Sequence, residues 1–481
     1  MTLASRVFTI AGSVAVVLAA CGFGPNAEQG PTPTPGLDMD ILVTAAPVYD
    51  ALAALKGGER FPKGAQLLRI HASKAEKLVP GFAASADANV GFDGKTVLFA
   101  GKTTPADKWQ IWELTLADGS LRKLIAGEDD VIRPFYLPGG RLVYARRTTK
   151  GYQLEAAGKD GQPLLAPIDS AASATVVALS YMPGSAIPDD VLADGRILFE
   201  AGFPLGSGST PEMYLVYSDG SGVESYRCDH GSARWGGKQL ASGDVVFTHG
   251  ASLARFTSPL AHQTPVVAPR GEYAGAIAEM ANGAWLVSAR TSAATHYALK
   301  LWEPGSSQTG TATLKTLLAQ SGEDLVEPVV VAARTRPKRH PSGLHPWDYA
   351  NMMALDSRLS REGDLNVAAA SVRLETRDAG GRTVVTGTAP VETDGSFFVK
   401  VPADKPIRFA LLDAKGAVVR QEHGWFWIRR GEQRICVGCH TGPERASENR
   451  VPAVLLRSTT AFDVSGAIGA NGAQHATPGG N

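Results

Sequence analysis

The chain has 481 residues and balances 47 Lys and Arg against 47 Asp and Glu, so no excess charge argues for capture of nucleic acid or an anionic surface. Its 53 Gly, 30 Pro and 7% aromatic residues favour a turn-rich all-β chain over a helical bundle. The length suggests two or more domains, and after residue 21 no apolar run is long enough for a membrane-spanning helix.

The first element follows Arg6: VFTIAGSVAVVLAAC, too short for a span but with the size and small residues of a secretory signal. Cys21 directly after Leu18-Ala19-Ala20 makes residues 1–20 resemble a bacterial lipoprotein signal, with Cys21 the lipidated first mature residue. Residues 21–38, including GFGPNAEQGPTPTPGL, read as a flexible tether. The protein is thus expected to be exported and held to a membrane by lipid on the periplasmic face. Gly22, in place of an acidic residue, favours the outer membrane.

Residues 39–334 repeat one phrase. It reads GFDGKTVLFAG, LPGGRLVYARR, LADGRILFEAG, LASGDVVFTHG and MANGAWLVSAR, each a glycine turn followed by β-prone residues. The shared glycines Gly94, Gly140, Gly195, Gly243 and Gly283 are separated by 46, 55, 48 and 40 residues. A second hairpin signal lies between them, at Asp118-Gly119, Asp160-Gly161 and Asp219-Gly220. Two hairpins per repeat make four strands, and about 40–50 residues is the size of a propeller blade. Five blades are visible; a sixth is expected from both ends, with residues 65–81 beside residues 325–334. A β-sandwich or open solenoid is the competing reading.

TRPKRHPSGLHP opens a Pro-rich linker, residues 335–348. Residues 349–465 then alternate as strands joined by Gly turns, a small β-sandwich-like domain whose last strand is GWFWIRR. The tail 466–481 is expected to be disordered. The expected fold is therefore all-β: a propeller of five to six blades, then a sandwich carrying a C-terminal haem motif.

That motif is Cys436-Val437-Gly438-Cys439-His440, a C-x-x-C-H. Zinc needs about four ligands, and no second C-x-x-C supplies them. A thioredoxin-like dithiol belongs in a βαβ setting that is absent nearby. The adjacent His decides for one covalent haem c: Cys436 and Cys439 take the vinyl groups, and His440 lies under the iron. The sixth ligand stays open among His423, His340, His345, Met352, Met353 and a vacant position. Trp425 and Trp427 are candidates for an apolar shell around the porphyrin, or for sandwich core. Arg434, with neighbouring arginines, is a candidate for a propionate.

The order propeller, Pro-rich linker and β-domain ending GWFWIRRGEQRICVGCHTGPERASENRVPAVL resembles the hydrazine synthase alpha subunit family. In that family the middle-domain haem takes a tyrosinate just past the motif, and the motif His turns to a zinc. The corresponding position here is Glu444, and no Tyr follows Tyr349. A second C-x-x-C-H is also missing, so the resemblance does not imply hydrazine synthesis. It does direct attention to YRCDHG: Cys228, Asp229 and His230 are candidate ligands to the iron or to a zinc beside His440. A buried apolar Cys228 is the plainer reading.

Together these features predict an exported, lipid-anchored monohaem cytochrome relaying electrons to a redox protein, with the propeller as docking platform. A haem enzyme acting on a small nitrogen or oxygen species and a non-redox scaffold remain alternatives.

Overall fold

The structure is a computed structural model describing residues 39–72, 74–158, 168–169, 176–202, 210–227, 233–259, 261–304, 314–360, 363–438 and 449–466. The expected signal, Cys21, the tether, Cys228, Asp229, His230, Cys439, His440, Glu444 and nearly all of the tail lie outside these residues.

The repeated phrase folds as anticipated. In each of its five copies the shared glycine closes the turn between the first and second strand of a four-stranded antiparallel arrangement, at φ 74°, 84°, 90°, 93° and 81° for Gly94, Gly140, Gly195, Gly243 and Gly283. Side chains rarely tolerate that left-handed backbone. Each second strand is mostly buried without alternation; Ile197–Ala201, for example, is buried at every position, Glu200 included. A blade covered on both faces has no solvent side to pattern.

Six such sheets form the propeller, one of them extended by Ile168–Asp169, which pairs in parallel with Leu121–Ala126. Their first strands contact one another in a closed ring: Ala84–Val90, Val131–Tyr136, Ala186–Val191, Trp235–Gln239, Glu272–Glu279 and Asp324–Val330. The sixth sheet is assembled from both ends of the domain, in the order Asp324–Val330, Ile41–Ala46, Gln66–His71, Lys74–Lys77. The sequence reading placed residues 325–334 directly beside residues 65–81. Instead Ile41–Ala46 lies between them, pairing Ile41 with both Ile70 and Val330. This closure leaves no open edge in the ring.

A linker leaves the last inner strand and crosses the propeller face that carries the glycine turns. Arg334 N–H donates to the Phe92 carbonyl at 3.0 Å and Lys338 N–H to that of Ala193 at 2.9 Å. A Cβ at Gly195 would overlap the Lys338 carbonyl. His340 then stacks on Tyr217, ring centres 3.7 Å apart.

Beyond it two four-stranded sheets make the sandwich. One runs Gln433–Cys436, Ala350–Ala354, Phe397–Val401, Phe462–Asp463; the other Thr383–Pro390, Ser371–Arg377, Ile407–Leu412, Val418–Gln421. Met352, Leu374, Val399 and Ile407 are among the core side chains between them. GWFWIRR is not a strand: only Phe426 makes an isolated bridge, to Ile407. Trp427 is used in packing between domains. Among the described residues no helix is long and apolar enough to cross a membrane.

Candidate haem centre where the sandwich meets the third blade

Cys436 ends the strand Gln433–Cys436, which lies at a sheet edge and pairs in parallel with Ala350–Ala354, setting Ala354 opposite Cys436. The strand is followed by a docked turn: Leu355 N–H donates to the Cys436 carbonyl at 2.9 Å, and Asp356 N–H to that of Val437 at 3.1 Å. Gly438 lies so close to the Asp356 and Leu359 carbonyls that a Cβ there would crowd both. The first half of the C-x-x-C-H is thus held by the sandwich backbone.

The Cys436 side chain is partly buried against the sandwich core and makes no disulfide with a described residue. Burial pushes its thiol up to about 11, helped by Glu422, Glu432 and Glu224 and opposed by Arg434. A thiol-exchange centre shows the opposite shift, a lowered thiol. Glu224 belongs to the propeller, so the third blade reaches the motif.

Four residues before and around the motif make that junction. Trp427 is 0% exposed, its indole N–H donating to the Gly220 carbonyl at 2.8 Å and its ring lying 6.2 Å from both Tyr181 and Phe199. Arg429 donates to the Ala178 and Asp219 carbonyls at 2.8 and 2.7 Å while bonding Asp404 at 2.8 Å. Glu432 accepts from Gly222 N–H at 3.2 Å. Arg434 donates to the Val223 carbonyl at 3.1 Å and pairs with Glu432 at 2.9 Å. The Asp219-Gly220 hairpin that the sequence marked as a blade turn is therefore the dock for the sandwich.

These contacts redefine three of the sequence-chosen residues. Both faces of Trp427 are covered by protein, and Trp425, 3% exposed, lies between the Arg377 and Arg408 guanidiniums at 4.7 and 4.8 Å. Neither indole has a free face to lay on a porphyrin. Arg434 is already engaged by Glu432 and Val223, which makes it an interface residue first.

The candidates for a sixth ligand separate. Met352 points into the sandwich core, two residues before the Ala354 that pairs with Cys436, whereas Met353 is opposite Ile435, which is 63% exposed. His423 is exposed and follows Glu422, whose charge acts on Cys436. His340 and His345 sit on the linker, stacked on Tyr217 and on Trp347. Among the described residues no three His, Cys, Asp or Glu cluster as a metal site. The Arg434–Val223 contact lies four residues before the described end of each segment, Arg227 and Gly438.

A charged network on the propeller axis was missed by the sequence reading. Five of the six inner strands carry a left-handed residue where their register shifts: Asp87, Arg133, Gly236, Gly275 and Glu327. Arg60, from the segment between Ile41–Ala46 and Gln66–His71, pairs with Asp87 and with Glu327 at 2.6 Å. Arg133 bonds Glu327 at 3.0 Å and Asp189 at 2.6 Å. The signal was present: Asp87, Arg133 and Asp189 stand six or seven residues before the shared glycine of their repeats.

Residues 359–441 match the family "Hydrazine synthase alpha subunit middle domain", a stretch ending one residue past His440. The chain superposes on Kuenenia stuttgartiensis hydrazine synthase with a TM-score of 0.73 at 17% identity, covering 88% of this chain and 72% of that one. TolB from Acinetobacter baumannii aligns at TM-score 0.42 and 12% identity, over 61% of this chain and 67% of that one. A putative TolB from Agrobacterium tumefaciens gives 0.39 and 11%, over 58% and 89%. No curated protein matches the sequence. Residues 359–441 thus carry the pattern of the hydrazine synthase alpha subunit middle domain, and most of the chain shares its fold with hydrazine synthase.

Proposed function

We propose that the protein is an exported, lipid-anchored c-type haem protein that passes electrons, with the third blade shaping the partner-facing side of its haem. The observation carrying this reading is the junction itself: the strand that delivers Cys436 is clamped to the Asp219-Gly220 hairpin by Trp427, Arg429 and Arg434. A loop fixed between two domains holds a redox group at constant distance from whatever docks on them. Cys436 and Cys439 would carry the group and His440 would meet its iron; when bound it supplies one-electron chemistry. The exposed Ile435 beside Cys436 offers apolar contact at the same edge.

A second reading is favoured by the superposition on hydrazine synthase: a haem enzyme acting on a small nitrogen or oxygen species at the junction, with Cys228 and His230 as metal ligands. The two readings differ in whether a strong ligand stands opposite His440.

Expression of the exported chain with a haem-attachment system tests the proposal. The mature protein should gain the mass of one haem and stain as haem c, and a Cys436→Ala, Cys439→Ala double variant should do neither. An unmodified wild-type polypeptide would sink both readings. Binding of carbon monoxide to the reduced wild type would favour the enzyme, and indifference to it the electron carrier.

A further inference from the structure

The propeller axis holds a cavity of about 720 Å³. Its mouth lies on the face of the glycine turns, bordered by Ala241, Gly283 and, from the start of the linker, Arg334 and Thr335. Val90, Phe135, Ile277 and Val329 contribute an apolar wall, and Asp87, Arg133, Asp189 and Glu327 the inner end. That size and mixture suit a small organic ligand with one polar head.

Charge at the inner end decides the sign of that head. The carboxylates of Asp87, Asp189, Glu200 and Glu327 meet there, and the guanidiniums in contact with them are those of Arg60 and Arg133. Burial, with Glu200 beside it, holds the Asp189 carboxyl well above the usual carboxylate range, and burial raises Glu200 as well. Four carboxyl groups there face two guanidiniums. Glu327 is 8% exposed, and its Oε2 has no hydrogen-bond partner among the described residues. A buried acceptor left unpaired costs free energy that a donor would recover.

The remaining lining charges do not reverse this balance. Lys238 is matched by Asp190 at 2.8 Å. At the mouth Glu279 accepts the Ala241 N–H at 2.6 Å and meets no Lys or Arg among the described residues. Arg334, lying over Phe92 at 4.4 Å, has no carboxylate in contact, so the two rim charges offset each other.

We propose that the channel binds a small organic cation, its ammonium or guanidinium head toward Glu327 and its apolar body along the wall from Val90 to Val329. This site is separate from the haem motif and does not depend on a haem being attached.

Calorimetric titration of the full chain with n-hexylammonium and, separately, hexanoate tests it. The cation should bind with one-to-one stoichiometry and the anion should not. Glu327→Gln should weaken the cation about tenfold or more, the loss of a charge-assisted hydrogen bond. Glu279→Gln, at the partly exposed mouth, should weaken it about two- to threefold and remain folded. Should Glu327→Gln fail to fold, the Glu279→Gln result and the contrast between cation and anion still decide. No binding of the cation, equal binding of hexanoate, or undiminished affinity in Glu279→Gln overturns the proposal.

Discussion

Asp189 and Glu200 are a buried carboxyl pair facing Arg133, with the Gly236 and Gly237 amides donating to them at 2.7 and 3.2 Å. Burial and the neighbouring Glu200 raise the Asp189 carboxyl well above its ordinary value. Because the folded value exceeds the unfolded one, the pair favours folding at acid pH and loses that contribution as pH rises through the raised value. Asp189→Asn stays neutral throughout. Its unfolding free energy should therefore fall less than that of the wild type from about pH 5 upward, measured by urea titration across pH. At the junction, Trp427→Phe removes the indole donor and strands the Gly220 carbonyl. A loss of about 1–3 kcal/mol in unfolding free energy is expected, with faster protease cleavage in the exposed linker after His340.

The glycine turn is the element that the sequence stated most clearly, and the structure separates its copies by what lies against them. Gly195 and Gly283 share a left-handed backbone, φ 90° and 81°, but only Gly195 is pressed against the linker, at the Lys338 carbonyl. Gly283→Ala should cost about 1 kcal/mol, the backbone penalty alone. Gly195→Ala should cost clearly more and displace the linker, since backbone cannot move aside as a side chain can. Equal shifts in melting temperature for the two variants would refute a structural role for that contact. The segment GWFWIRR shows the converse. Alternating Trp and apolar residues are what a strand would have, yet the segment is fixed by Gly220, Tyr181 and Arg429 contacts rather than by a ladder. Local pattern cannot tell a half-buried strand from an extended segment buried between domains.

At the scale of the molecule, the described residues belong to one compact unit, Gly36–Asn481, in which the linker and the Asp219-Gly220 dock tie sandwich to propeller. Cys21 and the tether lie outside the described residues, and anchoring is tested in cells. Cys21→Ala should move the exported protein from the membrane fraction to the soluble fraction and abolish incorporation of labelled palmitate. Retention of the variant in membranes would rule out the lipid as its anchor.

Turns and blade spacing were legible in the chain because each depends on residues close together in sequence: a glycine where φ is positive and β-prone runs of fixed length. Ile41–Ala46 was not, because its place between Gln66–His71 and Asp324–Val330 is a pairing across the whole domain. The roles of Trp427 and Arg434 were not either: an indole or guanidinium suits a haem and a domain interface equally, and only the approach of the third blade chose between them. The axial charges became a site for the same reason. Arg60, Asp87, Arg133, Asp189 and Glu327 are strangers in sequence, and ring closure alone brings their charges within hydrogen-bond distance, out of water, where pairing is obligatory.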